Sequence, residues 1–281
     1  MHVSAEPGGK TMAKYIKWLF LIVMLFLYML PVYYSIASSF KSLKEIYSYP
    51  PTIFPKNPTL QGYREALQKQ DMITYLRNTL FVASIATVIT VLICVMGGYG
   101  LAKGTFIGKL ALNRLVVLTL FVTAQVIMVP LFVIIRRLGL INNLWGLILP
   151  AVYTPTGMFT AIQYMKDIPD EFLESAKIDG ASEWTIFWKI VFPLSKPLVA
   201  ALAIFSFTWR WNDFVLPLLV VNRRSLYTLQ LALAVIQGEY GGVPWNTILA
   251  FSTMTIIPTL IIFLLFQRFF MRGITAGGLK Y

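Results

Sequence analysis

Acids are scarce in this 281-residue chain: 12 Asp and Glu stand against 24 Lys and Arg, with one cysteine and one histidine. Each shortage excludes something. Cys94, inside an apolar run, has no second cysteine with which to form an intrachain disulfide. His2 alone leaves a Ser-His-Asp triad, a zinc site or a haem site without its ligands, so no catalytic residue and no metal site is expected. Charged residues make up 13% of the chain, whereas a soluble domain carries about 25%. Hydrophobic residues make up 57% and come in blocks, the mark of a polytopic membrane protein. A net charge of +12 would suggest nucleic acid in a soluble chain. Here the basic residues fall between apolar blocks, where anionic headgroups and the positive-inside bias account for them. Membrane lipid is therefore an expected partner and nucleic acid is not.

A helix of about 20 apolar residues crosses a bilayer, and six such spans can be drawn: about Tyr15–Ala37, Asn78–Ala102, Leu115–Ile135, Gly146–Met165, Leu198–Val221 and Thr247–Phe270. The first is too long, and lacks the small-residue cleavage site, to read as a removed signal peptide. The expected fold class is all-α with six transmembrane helices. An even count puts both termini on one side. With the N-terminus inside, thirteen Lys and Arg fall inside and ten outside, which favours cytoplasmic termini. The layout is then a cytoplasmic tail over 1–14, a six-helix permease domain over 15–270 and a cytoplasmic tail over 271–281. The external loop covers about 41–76 and a cytoplasmic loop about 166–197. The external loop opens on the irregular "YPPTIFPKNP" and continues with "LQGYREALQKQDM", which reads as a short surface helix. A solvated cap and a docking surface for an external partner both fit it.

Several motifs fail on context. "GGKT" at Gly8–Thr11 lacks the earlier glycine and the preceding strand of a phosphate loop and reads as a flexible tail. "GGYG" at Gly97–Gly100 contains the Gly-Tyr-Gly of a potassium filter but ends a full span, where glycines permit close helix packing. Only one acid, Asp213, lies in a span, so a paired-aspartate intramembrane protease is excluded.

Half of the acids gather in one place. Asp167, Asp170, Glu171, Glu174, Asp179 and Glu183 fall in or just before "EFLESAKIDGASEWTIFWKIVFPLSKP". Pro169 with acids in the first turn suits a helix N-terminus, and Phe172, Leu173, Ala176 and Ile178 can share a stripe. "DG" at Asp179–Gly180 is a helix stop. Ser182 can cap a second helix, which Pro193 and Pro197 break before the fifth span. Helices lying on membrane surfaces carry Lys and Arg, because anionic lipid repels acids. An acidic, partly apolar knob that avoids lipid is suited to a protein groove.

"ESAKIDGASEWTIFWKIVFPLSKP" resembles the signature cytoplasmic loop of ABC importer permeases. Glu174, Ala176, Asp179, Gly180, Ala181, Pro193 and Pro197 match its Glu-Ala-Ala and Asp-Gly-Ala pattern, and Ser175 stands where the family often has alanine. "WRWNDFVLPLL" at Trp209–Leu219 resembles a motif of the fifth core helix in sugar importers. "FMRGITAGGLKY" at Phe270–Tyr281 resembles the tail of the maltose-type permease subunit, and the short "RLGLINN" turn fits as well. The resemblance spans nearly the whole chain and implies the type I ABC importer permease fold in a bacterial or archaeal inner membrane. It implies a heterodimer with a second permease subunit, two ATPase subunits and an extracytoplasmic solute-binding protein. ATP and magnesium would sit in the ATPase subunits, with no cofactor on this chain. Glu171, Glu174, Ala176, Asp179, Gly180 and Ala181 would couple to the ATPases, and the cargo would be a sugar or oligosaccharide. A permease for a non-sugar solute, such as a polyamine or phosphate ester, and a carrier or channel working alone are the alternatives.

Ionisable groups inside a span are functional candidates. The fifth span offers Arg210, Trp211, Asn212 and Asp213 as translocation-pathway residues, with Arg210 and Asp213 spaced for a local i, i+3 pair as the other reading. Thr154 and Thr156, where Thr-Pro-Thr-Gly breaks the fourth span, are further pathway candidates.

Overall fold

A computed structural model describes residues 7–69, 71–238 and 243–277. Among the described residues there is helix and no strand, as the six apolar blocks require. Helices satisfy their own backbone hydrogen bonds, which lipid cannot do. In chain order the helices are α1 (Pro7–Ser39), α2 (Leu43–Ile46), α3 (Gln61–Lys69), α4 (Met72–Lys103), α5 (Lys109–Thr119), α6 (Ala124–Arg137), α7 (Trp145–Ile148), α8 (Pro155–Lys166), α9 (Glu171–Ile178), α10 (Glu183–Ile186), α11 (Phe192–Leu194), α12 (Lys196–Trp211), α13 (Val215–Val220), α14 (Leu229–Gly238) and α15 (Trp245–Gly277). The chain divides into two compact units, formed by the described residues of 1–70 with 239–254 and of 71–238 with 255–281.

In the first unit, α1 carries the first span. It starts at Pro7, so Gly8–Thr11 is its first turn rather than a flexible tail. The loop after it is ordered by polar contacts: the buried Lys41 ammonium donates to the Thr52 carbonyl, and Glu45 accepts from the Thr52 hydroxyl at 3.0 Å and the Lys56 N–H at 2.8 Å. The surface helix expected after it is α3. Gly62 lets it approach α15, since a Cβ there would stand 2.5 Å from the Asn246 carbonyl oxygen.

In the second unit, α4 is the axis. One face packs against α8 and α12 around Cys94, Val95, Ala161, Met165 and Leu202; further along, α4 packs with α6, α7, α13 and α14 around Ala86, Ile135, Ile148, Val220 and Leu231. Lipid is as apolar as leucine, so close packing rather than escape from water drives this association. Small residues make it possible: a Cβ on Gly98 would sit 2.6 Å from that of Ala161 on α8, and one on Gly97 2.7 Å from Met158, the role expected for this stretch, whereas Gly100 faces open space.

The third, fourth and fifth blocks are broken rather than straight. α5 and α6 meet at 110°, after Thr119 turns its hydroxyl back to the Val116 carbonyl at 2.7 Å. The fourth block is divided between α7, a 3-10 turn over Leu149–Ala151 and α8, with Thr154–Pro155 at the break. The fifth ends α12 at Trp211 because Asp213 starts a new helix: its Oδ1 accepts the N–H groups of Val215 at 3.0 Å and Leu216 at 3.3 Å. The sixth block, α15, runs on as helix to Gly277, so the expected tail begins as a continuation of that helix; residues 278–281 lie outside the described residues.

Candidate functional site

The acidic knob is built as its sequence suggests. α9 ends in a Schellman cap: the Gly180 N–H donates to the Lys177 carbonyl at 3.0 Å and the Ala181 N–H to the Ala176 carbonyl at 2.9 Å. Gly180 takes the required left-handed turn, with φ at +77°. Ser182 caps α10, its hydroxyl accepting the Thr185 N–H at 3.2 Å. Before Pro193 the helix widens into a π-turn over Phe187–Val191. Proline has no N–H for the Lys189 carbonyl and its ring crowds that oxygen, and such wide turns recur at functional sites.

Leu173 and Ala176 bury the inner face of α9, while Glu171, Glu174, Asp179 and Gly180 face out and Ala181 is half-buried. Phe172 and Ile178 do not join the buried stripe. Each helical residue turns about 100°, so positions one before Leu173 and two after Ala176 swing outward. They are 52% and 87% exposed, beside Trp184 at 60%. The knob thus offers acids and large apolar side chains together on its outer face.

Two contacts tie this knob to α4, and neither is marked by a motif. Tyr99 donates its hydroxyl hydrogen to Glu183 Oε2 at 2.8 Å. Lys103 reaches Asp170 Oδ1 at 2.7 Å and the Ile168 carbonyl at 2.6 Å. Lys177 braces the turn itself, its ammonium 2.6 Å from Glu183 Oε1. The hydrogen bonds from Lys177 and Tyr99 hold the Glu183 carboxyl below its ordinary value. The brace is therefore fully present above the unfolded carboxylate pKa of about 4.3 and is lost as pH falls through the lower folded value.

The pathway candidates separate into two groups. Arg210 is 7% exposed and Trp211 1%. Arg210 does not pair with Asp213; among the described residues its guanidinium donates to Ser206 and, at 2.8 Å, to the Thr90 hydroxyl, so it joins α12 to α4. Trp211 stacks on Phe207 at 5.6 Å and donates to the Thr255 carbonyl at 3.3 Å. Asn212 is exposed on the same helical face as Trp209, which is 76% exposed, and its carbonyl oxygen lies 3.5 Å from Gln230 Nε2. Thr156 is exposed and Thr154 half-buried. Among the described residues no group of His, Cys, Asp and Glu could hold a metal ion.

Residues 95–276 match the family model of the binding-protein-dependent transport system inner membrane component. The chain belongs to that family. The permease is 37% identical over 207 residues to the arabinooligosaccharides transport system permease protein AraQ of Halalkalibacterium halodurans, with 74% of each chain covered. It is 32% identical over 265 residues to the AraQ protein of Bacillus subtilis, covering 93% of this chain and 94% of that one. Its fold matches a bacterial ABC transporter involved in the import of the acidic polysaccharide alginate, with a TM-score of 0.85, 21% identity, and coverage of 96% of this chain and all of the other. This is the type I importer permease fold expected from the loop motif, and the family is one of membrane transport components rather than enzymes.

Proposed function

We propose that this permease forms, with a second permease subunit, the membrane pathway of an ATP-driven importer of oligosaccharides. Two cytoplasmic ATPase subunits bind ATP and magnesium, and an external binding protein delivers the sugar. The observation that carries the coupling role is the acidic, apolar knob around Gly180, held to α4 at Tyr99 and Lys103. The knob seats in the ATPase subunits. Their closure moves α9 and α10, and the two fastenings pass that motion to α4, the axis of the unit. The sugar assignment draws on the AraQ relatives and on the exposed Trp209–Asn212 face, where an aromatic ring meets the C–H face of a sugar and an amide meets its hydroxyls. The deciding experiment reconstitutes the complex with its binding protein and measures uptake of labelled arabino-oligosaccharides. ATP-dependent uptake is expected; uptake without the ATPase subunits would make the chain a lone carrier, and transport of a polyamine alone would remove the sugar.

On this reading both termini lie in the cytoplasm and the Lys41–Leu76 loop outside. Ser48 is exposed in that loop and the single native cysteine, Cys94, is buried, so Ser48→Cys gives a clean probe. An impermeant thiol reagent is expected to label it on whole cells; labelling only after permeabilisation reverses the topology.

Tyr99→Phe keeps the ring and removes one hydrogen bond on an exposed surface, too little to prevent assembly. The expected result is normal ATPase subunit retention with several-fold fewer sugars moved per ATP hydrolysed. An unchanged ratio would remove Tyr99 from the transmission path.

A further inference from the structure

The second unit carries two adjoining clefts that the transport reading does not use. One, of about 490 Å³, lies between α4, α5 and α8 and is lined by Gly97, Gly100, Leu101, Leu115 and Met158. A Cβ on Gly100 would meet nothing within 4 Å, so this floor is open space rather than packed contact. The other, of about 590 Å³, is rimmed by Lys109, Asn113 and Arg114. Phe106 borders both, so the basic cleft and the apolar one meet at its ring. The segment between α4 and α5 faces outward, with Phe106 46% and Ile107 fully exposed, and Leu110 at the start of α5 is 64% exposed.

The charge here is one-sided. Lys103, Lys109 and Arg114 fall within this short stretch, and residues 104–119 contain no acid. Asp170 answers Lys103. Lys109 spends hydrogen bonds on the Ala102 and Gly104 carbonyls, at 2.9 and 2.8 Å, which fixes its ammonium at the C-terminal end of α4 without neutralising it. Asn113 gives its two N–H groups to the Leu101 and Lys109 carbonyls, both at 3.2 Å. Arg114 is exposed and makes no ion pair or hydrogen bond among the described residues.

We infer that these joined clefts bind an anionic phospholipid, with the phosphate at Arg114 and Lys109 and one acyl chain past Phe106 into the apolar cleft beside Gly100. The ordering of the parts selects this occupant. A basic rim at the end of a membrane helix sits at headgroup level, and basic pockets between such helices take anionic headgroups. The cleft beneath it is apolar and deepens into the hydrocarbon region. A chain leaving bulk lipid gains little from apolar burial alone, so the headgroup charge sets the preference. Each Lys or Arg near an anionic surface is worth about fivefold in partitioning. A second permease subunit covering this face would leave the Arg114 charge unanswered unless it brought an acid.

The test uses the assembled transporter in nanodiscs with chain-labelled phosphatidylglycerol or phosphatidylcholine, following the motionally restricted lipid by electron spin resonance. The wild type is expected to hold phosphatidylglycerol severalfold more strongly than phosphatidylcholine. Arg114→Gln, an exposed and unpaired position that leaves the fold alone, is expected to cut that preference by about fivefold. Gly100→Leu, growing into open space, is expected to release the restricted chain. Equal affinity for the two lipids in the wild type, or an undiminished preference in Arg114→Gln, overturns the proposal. So does competition by inorganic phosphate, which would make it an anion site without a chain. Cross-linking of Leu115→Cys to the second permease subunit by a short thiol-to-amine reagent would also sink it, by making the cleft a protein interface.

Discussion

Gly180→Arg is expected to abolish binding-protein-stimulated ATP hydrolysis and sugar uptake while the permease still inserts and folds. Two costs are separable at this position. The first is backbone: with φ at +77°, a side-chain-bearing residue costs roughly 1 kcal/mol or more relative to glycine. The second is steric and lies outside this chain, because a Cβ at Gly180 meets nothing within 4 Å. Within the permease the new side chain therefore has room. In the proposed ATPase groove it does not, and its positive charge stands among Glu174, Asp179 and Glu183. Gly180→Ala carries only the backbone cost and serves as the control: docking weakened several-fold, with hydrolysis retained. Glu174→Lys, on the same outward face, replaces an acceptor of charged hydrogen bonds with a donor and is expected to lower ATPase subunit retention. Purified complexes would be scored for ATPase content, stimulated hydrolysis and uptake. Normal values in both Gly180→Arg and Glu174→Lys would reduce the knob to a solvated loop.

The parts of this fold that sequence makes legible are those governed by local chemistry. The helix stop at Gly180, the Ser182 cap and the surface helix α3 each follow from a few adjacent residues, and each is present. Apolar blocks mark spans because length and hydropathy suffice. They say nothing of straightness: the Leu115–Ile135 block bends by 110° with Pro130 beyond the bend rather than at it. Asp213 draws attention through its charge, yet its work here is to start α13 through two backbone N–H groups. A pairing with Arg210 looks natural at i, i+3, but a guanidinium on a helix flanked by Thr90 and Ser206 finds hydroxyls first. The fastenings at Tyr99 and Lys103 join residues more than 60 positions apart. No periodicity announces such contacts, because they depend on how α4 packs against α8.

Trp211→Ala and Asn212→Ala are adjacent changes with opposite expected consequences. Trp211 is 1% exposed, stacked on Phe207 and bonded to the Thr255 carbonyl. Truncating a buried tryptophan costs about 3–5 kcal/mol, largely through the cavity left behind. Against a total stability of about 5–15 kcal/mol, that loss is expected to lower the melting temperature sharply and to deplete folded protein from the membrane. Trp211→Phe, which keeps most of the volume, should recover much of the yield. Asn212 is exposed and gives up a hydrogen bond to the Thr208 carbonyl on α12 and a long one, at 3.5 Å, from Gln230. Its alanine variant should fold, assemble and retain stimulated hydrolysis, yet import sugar at least tenfold more slowly, because the amide beside Trp209 no longer meets the passing hydroxyls. Thermal stability by intrinsic fluorescence and uptake in reconstituted vesicles, measured on the same preparations, separate the two. If Trp211→Ala melts normally but does not transport, its ring turns toward the sugar in the working complex. If Asn212→Ala transports normally, the pathway runs along another face, and the breaks at Thr154–Thr156 become the place to look.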